Sequence, residues 1–248
     1  MKLNRRLRAG AATLATALAA ATAADAEGSA RVLLSAGAQA EWAAVGRLNT
    51  AGQGHCTATL IAAPDLAVTA AHCVHAPATG APYLPHRLHF LAGWRTGRFA
   101  AHLPGAAVAV AEGFVYTPRR GDPRHDIALI RLDGPAPQGL TPLSPARHPA
   151  IAGERVTVLS YGRDRPEALS AETGCSIIAR HGPVLLTDCE AVPGVSGAPL
   201  LRAGPDGPEV LGVVSTSAGM DASGRGRAIA VALDAHLPAL LAGLDTPG

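Results

Sequence analysis

The stretch Leu66-Ala-Val-Thr-Ala-Ala-His72-Cys73 follows the turn Ala63-Pro64-Asp65 and begins with a short apolar run, Leu66–Thr69, that leads to a histidine. Such a run beside turn residues predicts a buried β-strand. Similar segments recur along the chain between Gly, Pro and Asp turns: Thr57–Ile61, Leu88–Ala92, Ala106–Ala111, Ile127–Leu132, Val156–Tyr161, Cys175–Arg180, Val210–Ser215 and Ala228–Leu233. Short strands without amphipathic helices between them predict an all-β fold, either a barrel or a sandwich.

Outside these strands the sequence predicts one helix and one linker. The helix covers Asp234–Ala242, although Pro238 lies inside it. The segment Pro142–Ala152 is rich in proline and poor in strand-forming residues. We therefore expect it to separate two halves of the chain, residues 27–148 and 149–248.

The N-terminus has the pattern of an export signal. Four basic residues come first: Lys2, Arg5, Arg6 and Arg8. An uncharged, alanine-rich run over residues 9–24 follows, and small residues offer cleavage after Ala23 or Ala26. This pattern predicts a signal peptide over residues 1–26. The alternatives are a retained amphipathic helix and, for the export route, a twin-arginine signal at Arg5-Arg6.

Composition and charge exclude several classes of protein. Apolar residues make up 48% of the chain and charged residues 16%, which excludes a disordered chain or a coiled coil. The net charge of +2 becomes about −1 without residues 1–26, which hold four basic residues and one acidic residue. No basic stripe then remains for nucleic acid, and no later segment has the roughly 18 apolar residues of a membrane span. We expect a secreted or periplasmic monomer.

Four cysteines lie in two close groups, Cys56 with Cys73 and Cys175 with Cys189. In an exported chain an even number predicts disulfides, and three pairings are possible. Each local pairing would close a loop of about 15 residues and contribute about 3 kcal/mol. The alternative is a zinc site that combines the two cysteines of the first group with His55 and His72. Adjacent His-Cys side chains point to opposite faces of a strand, however, which does not suit a structural zinc site.

Three segments carry residues that together suit acyl transfer: Leu66–Cys73, His125-Asp126-Ile-Ala-Leu and Pro193-Gly-Val-Ser196-Gly-Ala-Pro199. Each residue alone has an ordinary explanation, as a structural histidine, a turn aspartate or a loop serine. Acyl transfer, however, needs a serine, a histidine that takes its proton and a carboxylate that orients the imidazole. It also needs backbone N–H groups aimed at the developing oxyanion, and glycine lets a loop turn them inward.

The candidate residues follow one another along the chain in the order His72, Asp126, Ser196. In this order the chain resembles the chymotrypsin-like serine endopeptidases. Thr69-Ala-Ala-His72-Cys73 matches the histidine motif of that family, and Asp126-Ile-Ala-Leu matches its aspartate motif. Ser196-Gly-Ala-Pro is close to its Ser-Gly-Gly-Pro, and Gly212-Val-Val-Ser215 resembles the strand that pairs with the substrate backbone. The resemblance covers most of the chain after the signal peptide.

This resemblance implies an all-β fold of two six-stranded antiparallel β-barrels with a short C-terminal helix. Residues 27–148 would form the barrel that carries His72 and Asp126, and residues 149–248 the barrel that carries Ser196. His72 would be the general base and acid, Asp126 its orienting residue and Ser196 the nucleophile. The N–H groups of Gly194 and Ser196 would form the oxyanion hole.

The resemblance also bears on the disulfides and on substrate binding. It implies a Cys56–Cys73 bridge beside the histidine, and we predict that Cys175–Cys189 is the second bridge. The residues expected to bind substrate are Glu190, Val214, Ser215 and Ser217. By ungapped counting, Glu190 occupies the position that is acidic at the base of the trypsin pocket, where a carboxylate would favour Arg or Lys substrates. Its alternative is an exposed side chain that points to solvent.

Two positions distinguish the chain from particular branches of this family. Val195 stands where the animal digestive enzymes have the aspartate that binds a newly formed N-terminus. Together with the lack of an Ile-Val-Gly-Gly segment and the 70-position separation of Asp126 and Ser196, this makes the chain resemble the compact bacterial branch that includes the glutamyl endopeptidases. Val214 stands where glutamyl-specific relatives carry a histidine, which argues against glutamate preference. We expect an exported serine endopeptidase that acts on polypeptides without a cofactor. The alternatives are a catalytically silent homologue that binds proteins and a zinc-binding β module.

Overall fold

The computed structural model describes residues 31–50, 52, 54–118, 122–222, 224 and 226–245. The predicted signal peptide, residues 1–26, lies outside the described residues. None of the helices within the described ranges has the length and apolar character needed to cross a membrane.

The first half of the chain forms a closed barrel. Strand β1 (Val32–Leu33) and helix α1 (Ala36–Ala40) precede it, and six strands build it: β2 (Val45–Thr50), β3 (His55–Leu60), β4 (Leu66–Thr69), β5 (Leu88–Ala92), β6 (Ala101–Val110) and β7 (Ala128–Leu132). They close in the order β2-β3-β4-β7-β6-β5, with every neighbouring pair antiparallel. The interior is filled by apolar side chains such as Leu48, Leu60, Leu88, Phe90 and Ile130, all fully buried.

The second half forms another ring of six strands. Its strands, with a short preceding strand β8, are as follows: β8 (Ser144–Pro145), β9 (Arg155–Ser160), β10 (Ser170–His181), β11 (Val184–Thr187), β12 (Pro199–Gly204), β13 (Gly207–Met220) and β14 (Gly226–Ala232). The ring runs β9-β10-β11-β14-β13-β12 and closes because β12 also pairs with β9. Its core includes Val158, Ile177, Leu185, Leu200 and Val214.

The two ends of the described chain tie the barrels to each other. Strand β1 comes before the first barrel in sequence but pairs with β10 of the second, with Val32 opposite Ala171. Helix α2 (Leu237–Asp245) follows the second barrel and lies on the first, where Asp245 pairs with Arg131 at 3.4 Å. A separate apolar cluster contains residues of both barrels together with Leu240 of this helix. The two barrels are therefore joined by a strand, a helix and a shared apolar cluster.

The two six-stranded barrels and the C-terminal helix expected from the sequence are confirmed. Strands β4 and β5 have the predicted bounds, because each is a compact apolar run between turn residues. The helix begins at Leu237, three residues later than predicted, which places Pro238 in its first turn, where no intrahelical N–H bond is lost. Strands β2, β11 and β12 were not predicted. In β2, Gly46 interrupts the apolar pattern because it has no side chain. The ring of Phe90 fills the space that a side chain at this position would need.

Candidate active site

His72 lies in a short 3-10 turn, Ala71–Val74, directly after strand β4. Its neighbour Cys73 forms a disulfide with Cys56 of β3, with an S–S distance of 1.99 Å. The predicted Cys175–Cys189 bridge is also present. The first disulfide anchors the histidine turn to the adjacent strand of the same barrel, so the position of His72 depends on β3 as well as β4.

Asp126 lies between a 3-10 turn and strand β7 and is 6% exposed. Its Oδ1 accepts the main-chain N–H of His72 at 2.8 Å, and its Oδ2 lies 2.8 Å from His72 Nδ1. Ser215 Oγ, from β13 of the other barrel, also donates to Oδ2. Burial alone would raise the pKa of Asp126, but the hydrogen bonds from His72 and Ser215 outweigh it and hold that pKa below its usual value.

An ionised Asp126 determines which nitrogen of His72 carries the proton. A carboxylate can only accept hydrogen bonds, so the neutral imidazole must carry its proton on Nδ1 and present a lone pair at Nε2. This is the tautomer that a general base needs when it removes a proton from a serine hydroxyl. The arrangement can therefore accept a proton at Nε2 and stabilise the resulting positive charge.

Ser196 lies in the loop before strand β12 and shares one cleft with His72 and Asp126, with a volume of about 330 Å³. Its hydroxyl donates to the main-chain oxygen of Ser215 at 3.5 Å rather than to His72. Catalytic hydrogen bonds are often long or poorly aligned before substrate binds. To react, the Ser196 hydroxyl must exchange this weak bond for one with His72 Nε2.

The backbone around Ser196 leaves two N–H groups free. Val195 N–H donates to Val192 O at 3.1 Å and Gly197 N–H donates to Val214 O at 2.7 Å. Among the described residues, the N–H groups of Gly194 and Ser196 donate to no partner. Gly194 has φ of 94°, a conformation that favours glycine. These two N–H groups are the pair that the sequence assigned to an oxyanion hole.

Gly197 and Val195 hold this loop against the protein by close packing. A Cβ atom at Gly197 would lie 2.2 Å from both Thr57 O and Thr69 Oγ1, so a larger residue does not fit there. Val195 is fully buried in the core of the second barrel. The side chain that stands in place of an ion-pairing aspartate thus contributes apolar contacts.

Three of the four residues predicted to bind substrate line this cleft: Val214, Ser215 and Ser217. Glu190 does not line it. Its carboxylate lies 3.8 Å from Arg31 Nε, its side chain is 44% exposed, and its main-chain N–H donates to the Glu172 carboxylate. The Glu190 carboxylate thus lies beside Arg31 and outside the lining of this cleft, and its role in specificity stays a prediction.

The cleft also contains residues that the sequence reasoning missed, among them Phe114, Tyr116 and Thr216. His75 lies against both aromatic rings, with ring centroids 5.1 Å from Phe114 and 6.0 Å from Tyr116. A signal for the two aromatics was present, because the whole chain has only three Phe and three Tyr and two of these fall within three residues.

The bonding of the cysteine sulfur atoms argues against the zinc site considered from the sequence. Cys56, His72 and Cys73 lie close enough together to hold a metal ion, as do Cys175, Asp188 and Cys189. In both groups the two sulfurs are bonded to each other, and a disulfide does not offer the thiolates that structural zinc sites use.

Comparison with known proteins agrees with this geometry. A solved structure of a Glu endopeptidase in complex with MPD matches with a TM-score of 0.66 and 16% sequence identity, covering 84% of this chain and 93% of that chain. At this identity the likeness establishes a shared fold. No curated protein matched the chain. The family defined by the trypsin-like peptidase domain matches residues 56–213, more than half of the sequence. The chain therefore belongs to the trypsin-like peptidase family.

Proposed function

We propose that this protein is an exported serine endopeptidase that hydrolyses peptide bonds with Ser196, His72 and Asp126 through an acyl-enzyme intermediate. One observation carries the proposal: Asp126 binds both the main-chain N–H and the ring Nδ1 of His72, whose ring lines the same cleft as Ser196. A histidine with a merely structural role does not need an oriented Nε2 lone pair in a cleft that also contains a serine.

The reaction follows from these positions. His72 Nε2 takes the Ser196 proton while Oγ attacks the carbonyl carbon of the scissile bond, and the carbonyl oxygen becomes an oxyanion. The free N–H groups of Gly194 and Ser196 would donate to that oxyanion. Collapse of the tetrahedral intermediate breaks the C–N bond, and His72 gives its proton to the leaving amine. Water then attacks the acyl-enzyme by the same route and releases the second product with Ser196 restored.

Asp126 stays ionised during this cycle and stabilises the imidazolium that forms. Its lowered pKa supports this role, because the carboxylate must keep its charge at the pH where His72 acts as a base. The Ser215 hydroxyl connects this carboxylate to the second barrel, so the two halves of the site are joined through Asp126.

Substrate would bind along the strand that contains Val214, Ser215 and Ser217, opposite the aromatic side chains of Phe114 and Tyr116. Among the described residues that line the cleft, His72 and Asp126 are the only ionisable groups besides Tyr116. We therefore infer that the substrate side chain bound there is uncharged.

The N-terminal pattern and the two disulfides support export to an oxidising compartment, either the periplasm or the outside of the cell. The substrate of a protease is itself a polypeptide, and the proposed reaction uses no cofactor. We also propose that the enzyme acts as a monomer, because all the residues of the proposed site come from one chain.

A catalytically silent homologue that binds other proteins is the second candidate. The bond from the Ser196 hydroxyl to Ser215 O, in place of one to His72, favours this alternative. A fluorophosphonate probe separates the two functions, because only an activated serine reacts rapidly with it. The probe should label the wild-type protein, should not label Ser196→Ala and should label His72→Ala slower by several orders of magnitude.

The matched control is Ser144→Ala, which removes an exposed serine of β8 and should label like the wild type. A folded wild-type protein that resists the probe and leaves a peptide library intact would favour the silent homologue. Labelling that persists in Ser196→Ala would assign the reactive hydroxyl to another residue.

A further inference from the structure

Thr57 is a fully buried residue of β3 that touches the Ser196 loop at two points. Its main-chain N–H donates to Ser196 O at 2.9 Å. Its hydroxyl donates to Gly194 O at 3.1 Å and accepts the N–H of Tyr161 at 3.0 Å. One side chain of the first barrel thus joins two segments of the second barrel beside the nucleophile.

The Thr57 hydroxyl restrains one of the two peptide planes that meet at the Gly194 Cα. In a trans peptide the N–H and C=O point in opposite directions, so fixing a carbonyl fixes the N–H of the following residue. The Arg163 N–H holds Pro193 O at 2.6 Å and so directs the Gly194 N–H. The Thr57 hydroxyl holds Gly194 O and so fixes the peptide plane on the other side of the Gly194 Cα. Both peptide planes that meet at the Gly194 Cα are therefore tied, and glycine, which has the widest backbone freedom, is left with one orientation.

Among the described residues, no ion pair holds the loop around Gly194. Residues 191–199 take part in none of the ion pairs formed by the described residues, and Val195 offers only apolar contacts. The polar side-chain support for the Gly194 carbonyl is the Thr57 hydroxyl. Its second bond, from Tyr161 N–H, occupies a hydroxyl lone pair and so directs the hydroxyl proton toward Gly194.

We propose that the Thr57 hydroxyl is a positioning residue for the oxyanion hole, which it holds ready before substrate arrives. The inference rests on the proposed function, because it concerns the loop that carries the N–H groups of Gly194 and Ser196. Thr57 touches neither the substrate nor the reacting atoms. Its loss should therefore weaken stabilisation of the transition state and leave the binding of ground-state substrate nearly unchanged.

The test is steady-state kinetics of Thr57→Val, which keeps the shape of threonine and removes the hydroxyl. Loss of one oxyanion donor costs about 10²–10³-fold in kcat, so a displaced donor should cost about 10- to 100-fold, with KM within about twofold. Thr57→Ser restores the hydroxyl and should recover most of this loss. A peptidyl aldehyde, whose hemiacetal oxygen would occupy the oxyanion hole, should lose affinity in parallel with kcat.

Thr59→Val is the matched control. Thr59 lies on the same strand, is equally buried and has a hydroxyl without a hydrogen-bond partner. Its replacement should leave kcat and KM within about twofold of the wild type, because no hydrogen bond is lost. If Thr57→Val does not fold, Thr57→Ser and Thr57→Ala provide the same comparison, since they differ only by the hydroxyl.

Three results would overturn the inference: wild-type kcat in folded Thr57→Val, equal damage in the Ser and Val variants, or an effect on KM alone. In each of these cases an active wild-type enzyme leaves the proposed function intact. A wild-type protein that neither cleaves peptides nor reacts with the fluorophosphonate overturns both proposals together.

Discussion

His72 and Asp126 are joined by two hydrogen bonds of 2.8 Å, one from the main-chain N–H to Oδ1 and one between ring Nδ1 and Oδ2. A single carboxylate thus holds both the backbone and the ring of the same residue. The turn that presents His72 and the tautomer that it adopts are set by one side chain, which makes Asp126 the most sensitive position of the site after the two reacting residues.

Asp126→Asn should lower kcat by about 10⁴-fold, because an amide nitrogen facing Nδ1 favours the wrong tautomer of His72. The amide oxygen can still accept the main-chain N–H of His72, so the fold should persist, as circular dichroism would verify. Hydrolysis of a peptide substrate measures the loss. Asp122→Asn, four residues earlier in an exposed turn, is the control and should stay near wild-type activity. Greater damage from Asp122→Asn would contradict the assignment.

Ser215→Ala should change how stability depends on pH. The lowered pKa of Asp126 stabilises the folded protein above the unfolded carboxyl pKa of about 3.9, and this contribution is lost as pH falls through the folded pKa. Loss of the Ser215 hydroxyl removes one donor to the carboxylate and raises that folded pKa. The variant should be about 2 kcal/mol less stable near neutral pH, the typical value of a hydrogen bond to a charged group.

In acid the stabilities of the wild type and Ser215→Ala should become similar, because Asp126 is then protonated in both. Thermal unfolding of wild type and Ser215→Ala from pH 7 to pH 2 measures this convergence. A stability difference that stays constant across the range would show that Ser215 acts by packing alone.

The two disulfides should differ in their effect on activity. Replacing either pair with alanine opens a loop of about 15 residues and should cost about 3 kcal/mol of stability, as measured by denaturant unfolding. Loss of Cys56–Cys73 should also reduce kcat, because Cys73 follows His72 and Cys56 precedes Thr57. Loss of Cys175–Cys189 serves as the comparison at a temperature where both variants are folded. A larger fall in kcat in that second variant would reverse the expected order.

Glu190→Gln should leave the side-chain preference of the enzyme unchanged. The carboxylate lies beside Arg31 and outside the cleft lining, so neutralising it removes no charge from the substrate site. Cleavage of a peptide library by wild type and variant measures the preference directly. A selective loss of cleavage after Arg and Lys in Glu190→Gln would instead place this carboxylate in contact with the substrate.

The sequence alone determined the all-β architecture and identified the three candidate catalytic residues. Strands β4 and β5 could be predicted to the residue because their signal is local, a compact apolar run between turns. His72, Asp126 and Ser196 were recognisable for a similar reason, since each lies within a short motif. The sequence pattern did not predict strands β2, β11 and β12, because which of their residues face the core depends on the strands that pair with them.

Only the tertiary structure decided which residues of one barrel contact the candidate site residues of the other. Ser215 reaches Asp126 across 89 positions of sequence, and Thr57 reaches Gly194 across 137. Periodicity reports whether a residue faces a core, but it holds no information on which distant residue it meets there. Glu190 was ambiguous for the same reason: its position in the chain suggested a specificity pocket, while its distance from Arg31 is a property of the folded molecule. Hydrogen bonds between the barrels depend on how the two folded barrels lie against each other.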